Sequence, residues 1–227
     1  GPLQGAIYQY GHGGQPVEWF FPYYIARCVP ALAEAYRFTN DERFRDGAVR
    51  ALEFILRGRY EDGSFPQVIY SPKRVNRYPQ WIAGTGDILR AITVGVQLGM
   101  SIDPEPTERW MLAGRQTNGS IRTAHGFAAQ MSQKLRGSLP EFRDVLPVCG
   151  WADKTFRYMA ESLESGGMIP MLSATQLLEV ECTLRGVHCL YRETDQAMEL
   201  WNSTTLLYRW RKGEMWAEVN THDLLWK

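Results

Sequence analysis

The stretch L-R-G-R-Y-E-D-G-S-F-P-Q, Leu56 to Gln67, returns in weaker form as L-A-G-R-Q-T-N-G-S-I-R-T, Leu112 to Thr123, so that L-x-G-R-x-x-[D/N]-G-S recurs 56 residues on. A chain that repeats a turn in this way is expected to stack similar supersecondary units, each burying its apolar face against the next. The repeat also tests its own chemistry. Asp62 of the first copy is Asn118 in the second; an amide cannot serve as general base, whereas either side chain can bond the backbone of the same turn. The motif therefore reads as architecture, with Phe65 and Ile121 as apolar plugs beneath each turn.

The segments around the turns have helical periodicity. In F-P-Y-Y-I-A-R-C-V-P-A-L-A-E-A-Y-R-F, Pro22 suits a first helical turn and Ile25, Val29, Leu32 and Tyr36 share a face, with a kink expected at Pro30. Thr39 and Glu42 stand in a T-x-x-E capping-box relation before a second, amphipathic helix carrying Phe44, Ala48, Leu52 and Ile55. From Pro79 the chain is apolar nearly all round, as expected of an inner helix, and Pro79, Ala83 and Leu89 match Pro22, Ala26 and Leu32. A short outer helix, D-P-E-P-T-E-R-W-M-L, and a fifth helix, G-W-A-D-K-T-F-R-Y-M-A-E-S-L, follow, with a further turn at E-S-G-G-M-I-P. Beyond about residue 177 the period shifts toward alternation, with turn signals at Asn202-Ser203 and Lys212-Gly213, which predicts a small antiparallel sheet.

Alternating inner and outer helices with D-G-S-F or N-G-S-I turns resemble the α/α-toroid superfamily, which includes six-hairpin glycosidases, polysaccharide lyases and terpenoid cyclases. D-G-S-F-P-Q is also similar to the N-G-G-W-P-Q segment of some pectate lyases. The resemblance covers residues 20–170 and implies a mainly α fold, an incomplete α/α toroid of helical hairpins followed by a small antiparallel β-sheet. Three regions result: an N-terminal segment, 1–19; toroid-like hairpins, 20–170; and a β region, 171–227. A closed toroid needs more hairpins than this chain supplies, so the resemblance implies another domain or chain completing it.

Composition narrows the partners. Lys plus Arg equals Asp plus Glu at 25 each, so no whole-molecule field favours nucleic acid or an anionic membrane. Arg209, Arg211 and Lys212 with Trp210 and Trp216 could form a single-strand nucleic-acid platform but read better as a solvated hairpin face. No apolar run is long enough to span a membrane. Without a charged-then-apolar leader the cytoplasm is the expected location, although Gly1-Pro2 resembles the scar of a cleaved tag. Cys28, Cys149, Cys182 and Cys189 show no C-x-x-C pair, so buried thiols, and no metal or other cofactor, are expected.

In a toroid the loops that lead into inner helices gather at one end, which would bring together the segments containing Glu18, Tyr78 and Trp151. They carry Trp19, Tyr23, Tyr24, Gln80 and Trp81, flat rings and an amide suited to a sugar, beside Arg77 and Lys154. Asp87, inside an apolar helix, is either a hydrogen-bonded structural acid or a catalytic one with a shifted pKa. Glu18 and Asp153 also suit the dipole of a first helical turn, and His125 and His12 also suit surface turns.

The leading expectation is a carbohydrate-active domain with a glycan, or another small molecule, in an aromatic-lined cleft. A glycosidase would pair Glu18 with Asp87 or Asp153 across the cleft. A lyase or epimerase would use Tyr78 or His125 as base while Arg77 neutralises a uronate. The alternatives are a noncatalytic recognition or scaffold module of a larger protein, and a terpenoid-cyclase-like domain whose rings stabilise carbocations.

Overall fold

The computed structural model describes residues 1, 3–115, 121–126, 149–166, 179–184, 187–194, 196–211, 213–214 and 217–219. Among the described residues five helices run in chain order: α1 Pro22–Thr39, α2 Glu42–Leu56, α3 Thr85–Gln97, α4 Glu105–Leu112 and α5 Cys149–Glu164. Nine strands, counted over the same described residues, accompany them. β1 (Gly11–His12) and β2 (Gln15–Pro16) form a small hairpin, β3 (Val68–Ser71) and β4 (Arg74–Asn76) a second, and β5 (Glu179–Leu184), β6 (Val187–Glu193), β7 (Ala197–Asn202), β8 (Thr205–Arg211) and β9 (Ala217–Val219) a sheet in sequential antiparallel order.

The mainly α, incomplete α/α-toroid expectation is overturned by this mixed architecture. A short hairpin, not a tight helical turn, lies between α2 and α3, and a five-stranded sheet occupies much of the C-terminal part. The proposed repeat of helical hairpins fails at a definite place. Pro22 begins α1, but its counterpart Pro79 follows a cis peptide bond in an extended segment, and α3 starts only at Thr85. The intervening residues pair instead: Gln80 and His125 exchange backbone hydrogen bonds of 2.8 Å, and Ala83 N–H donates to Thr123. The segment 80–83 is thereby fixed by the last residue of the second repeat copy and by His125 just beyond it.

α1 continues through Pro30, and α2 is capped by Asp41, whose carboxylate accepts from the Arg43 backbone at 3.0 Å, rather than by Thr39. Thr39 Oγ1 donates back to Ala35 at 2.7 Å. α3 is central, packing on both α1 and α5. Gly86 permits the second contact, because a Cβ there would collide with the Lys154 carbonyl of α5. Thr155 Oγ1, also on α5, donates to the carbonyls of Ile82 and Ala83.

The D-G-S motif acts as architecture. Asp62 accepts from Ser64 N–H at 2.9 Å, Gly63 takes a φ of 86°, and Thr107 Oγ1 donates to the Gly63 carbonyl at 3.0 Å. A Cβ on Gly63 would strike the Pro106 carbonyl, so the turn sits directly against the start of α4. Phe65 and Ile121 are both buried in the helical core, and Gln80 Nε2 donates to Ser64 Oγ. The turn therefore braces the extended segment that leads to Trp81. Asn118 lies outside the described residues.

Two hydrophobic cores result. One draws on α1 to α5 around Ile25, Leu52, Ile88, Leu89 and Met111; the other lies in the sheet around Leu184, Tyr191, Leu200 and Leu207 and includes the buried side chains of Cys182 and Cys189.

Candidate functional site

A cavity of about 290 Å³ opens where the start of α1, the segment before α3 and the first turns of α5 meet. Phe21, Tyr23, Tyr24 and Trp81 supply its rings, and Arg27, Gln67 and Lys154 its polar groups. Each position follows from local structure. Phe21 is the N-cap of α1, Tyr23 and Tyr24 lie in its first turn, and Arg27 is one turn further on. Gln67, ahead of β3, is held by Asn76 Nδ2 at 3.1 Å from its Oε1.

Tyr23 ties the pieces together. Its hydroxyl accepts from Trp81 N–H at 3.1 Å and donates to the Phe65 carbonyl at 3.3 Å. Burial pushes its pKa well above the ordinary tyrosine value, so the phenol stays protonated and serves as a tether. Its ring lines the cavity while its polar end faces the scaffold.

The charged groups form two ion pairs of different burial, an exposed cation before a buried acid and a buried cation beside a half-exposed acid. Asp87, in the first turn of α3 and only 5% exposed in its side chain, accepts from Arg27 Nε at 2.6 Å. Arg27 is 46% exposed and its guanidinium lies 5.1 Å from the centre of the Tyr24 ring. Among the described residues neither Nη group of Arg27 makes a hydrogen bond. Its position is thus set by an acid on one side and a ring on the other, with the two-pronged end left toward the cavity it lines. Lys154 Nζ donates to Asp153 at 2.8 Å, and this bond holds the Asp153 carboxyl below the ordinary aspartate range, with a smaller contribution from Arg157. Asp153 therefore remains an anion near neutrality.

The structure distributes the sequence candidates over three places. Tyr23, Trp81 and Lys154 line the cavity, with Asp87 behind Arg27 and Asp153 beside Lys154. Arg77, Tyr78 and His125 gather elsewhere: Arg77 lies 4.5 Å from the Tyr60 ring centre and 3.6 Å from Asp62, and the Tyr78 and His125 rings are 6.0 Å apart, edge to face. None of these three is among the cavity's lining residues. Glu18 and Trp19 are exposed on the N-terminal segment, as is His12 on its hairpin. Gln80 is buried against Ser64. Trp151 belongs to the first turn of α5, and its side chain lies outside the described residues.

Arg27, Phe21 and Gln67 went unmarked by sequence reasoning. A signal for Arg27 existed. It is the one cation on α1 before Arg37, one turn after paired tyrosines, and a charged residue inside a helix needs a partner as much as Asp87 did. Among the described residues, no cluster of three His, Cys, Asp or Glu side chains is arranged to hold a metal. No helix among them is long and apolar enough to cross a membrane.

The family profile described as pectic acid lyase matches residues 26–88. That span starts one residue before Arg27 and ends one after Asp87, and it takes in Gln67, Trp81 and Gly84 of the cavity wall. The match covers less than a third of the chain and points to a polysaccharide-lyase-like relationship and a carbohydrate-related function. Comparison with curated proteins and with solved structures gives no match.

Proposed function

We propose that this protein acts on or binds an acidic polysaccharide of the pectic type, receiving one uronate unit in the cavity between α1, α3 and α5. The observation that carries the reading is the Arg27–Asp87 pair, which lies inside the matched segment and offers a guanidinium fork to the cavity. A planar guanidinium matches a carboxylate through two parallel N–H···O bonds, and fixing it in advance lowers the ordering cost of binding. Tyr24 and Trp81 give the sugar ring flat apolar contact, and Lys154 adds a second positive charge.

The same arrangement suits β-elimination at a uronate. A base takes the C5 proton, the electron pair forms a C4=C5 double bond, and the C4–O bond breaks as the leaving oxygen takes up a proton. Negative charge developing toward the carboxylate is favoured by the cation bound to it. The described lining supplies that cationic half of the chemistry.

The glycosidase reading has less support, because the lining contains no carboxylate side chain and both nearby acids are ion-paired, Asp87 with Arg27 and Asp153 with Lys154. A carbocation intermediate would be repelled by Arg27 and Lys154, which weighs against the cyclase reading.

A short galacturonate oligomer at 100 times its Kd should stabilise the wild-type protein by about 2.7 kcal/mol in a thermal-shift assay. Ultraviolet absorbance from the conjugated C4=C5 product would distinguish a lyase from a recognition module. Absence of stabilisation by every acidic oligomer tried would refute the proposal.

A further inference from the structure

The N-terminal strap extends toward the cavity as a run of rings. Tyr10 stands edge-on to Trp19 at 6.2 Å and to Phe21 at 5.8 Å, Phe21 lies 5.6 Å from Tyr24, and Tyr24 carries the Arg27 guanidinium at 5.1 Å. Trp19, Tyr10 and Tyr24 are 50%, 48% and 43% exposed, and Phe21 and Tyr24 belong to the cavity wall. Four contiguous rings thus connect open surface to the cationic end of the cavity.

The strap is a built element. Gln9 grips the N-cap of α1 with both ends of its amide: Nε2 donates to the Phe21 carbonyl at 3.2 Å, and Oε1 accepts from Phe21 N–H at 3.1 Å. The β1–β2 hairpin then reverses the chain, and Val17 N–H donates to the Tyr10 carbonyl at 3.0 Å, bringing Trp19 back beside Tyr10. An exposed aromatic surface that costs two backbone-fixing interactions is unlike scattered surface rings, and it is continuous with a polar cavity.

Resting on the acidic-sugar reading of that cavity, we infer that the strap is a second subsite, which holds the following units of the same polysaccharide chain by stacking on Trp19, Tyr10 and Phe21. The strap carries no Lys or Arg. Its contribution is therefore independent of uronate charge and works through ring area, whereas the cavity works through the carboxylate. The ligand class that follows is a chain several sugars long, with at least one free carboxylate at the cavity and a tolerance for esterified units along the strap.

Calorimetric titration with galacturonate monomer, a galacturonate hexamer and its methyl-esterified form tests this on wild type, Trp19→Ala, Gln9→Ala and Arg27→Lys. Trp19→Ala should weaken both hexamers by about tenfold and leave the monomer unchanged. Gln9→Ala, which keeps every ring but loosens the strap at Phe21 of the cavity wall, should weaken both hexamers more than the monomer, and circular dichroism checks that both variants are folded. Arg27→Lys should instead weaken the monomer and the acidic hexamer. Equal affinity of wild type and Trp19→Ala for the hexamers overturns the strap subsite while leaving the cavity reading intact. Hexamer binding that depends on Trp19 but not on charge or Arg27 overturns the cavity reading and keeps a glycan platform. No binding of any of the three sugars overturns both.

Discussion

In the helical part, Asp87 is withdrawn from water and held by one guanidinium from a helix 60 residues earlier. In the sheet, Arg192 meets Glu179 across β5 and β6 with both side chains about half exposed, and Arg209 bridges Glu199 and Glu218 on neighbouring strands. The first arrangement is costly to desolvate and sets a functional group in place; the second follows from strand register and, at Arg192–Glu179, is shielded by water. The lesson is that charge near a site is recognised by its burial and by what its partner faces, not by how many ion pairs surround it.

Breaking the buried pair should produce the largest effect. Arg27→Ala leaves Asp87 buried without its partner and should cost about 2–3 kcal/mol in denaturant unfolding, a figure reduced from that of fully buried pairs because Arg27 is half exposed. Adding Asp87→Asn to that variant should restore much of the loss. If Arg27→Ala proved neutral, the site would not be organised by this pair.

The sheet provides an intermediate case in Glu199, which accepts from Arg209 Nε at 2.7 Å and from Trp201 Nε1 at 2.8 Å. Burial raises its carboxyl, but the hydrogen bonds from Arg209 and Trp201 outweigh this and hold it below the ordinary glutamate range. A lowered folded-state pKa contributes stability above the unfolded value and loses it as pH falls through the folded one. Glu199→Gln should therefore cost about 1–2 kcal/mol near neutrality, with the gap to wild type closing in acid. A gap constant across acid titration would show that the charge is not what matters there. The smallest effect belongs to Arg192→Ala, under about 1 kcal/mol and smaller still in high salt.

Legibility in the sequence followed the length of each pattern. α1, α2 and α5 were readable because apolar residues recur over several turns, and the D-G-S turn was readable because its second copy exchanges Asp for Asn. The start of α3 was not. Pro79 and Pro22 look equivalent in sequence, but the segment after Pro79 is committed to strand-like pairing with Thr123 and His125, a long-range contact that local periodicity does not encode. β3 and β4, four and three residues long, are too short for alternation to declare itself, and their insertion is one reason the hairpin repeat fails. In the site, Asp87 drew attention as a charge in an apolar helix, yet Arg27, marked by the same reasoning, did not, because its acid lies in a different helix.

The account rests on a carboxylate being received by the Arg27 fork, and the most direct test changes only the ligand's charge. A galacturonate trimer and its methyl ester, titrated into the same wild-type protein, should differ by at least about tenfold in Kd in favour of the acid, as a charge-assisted bidentate pair requires. In Arg27→Lys, which keeps the charge but loses the fork, that difference should shrink. Equal affinity of acid and ester for the wild-type protein would contradict the account.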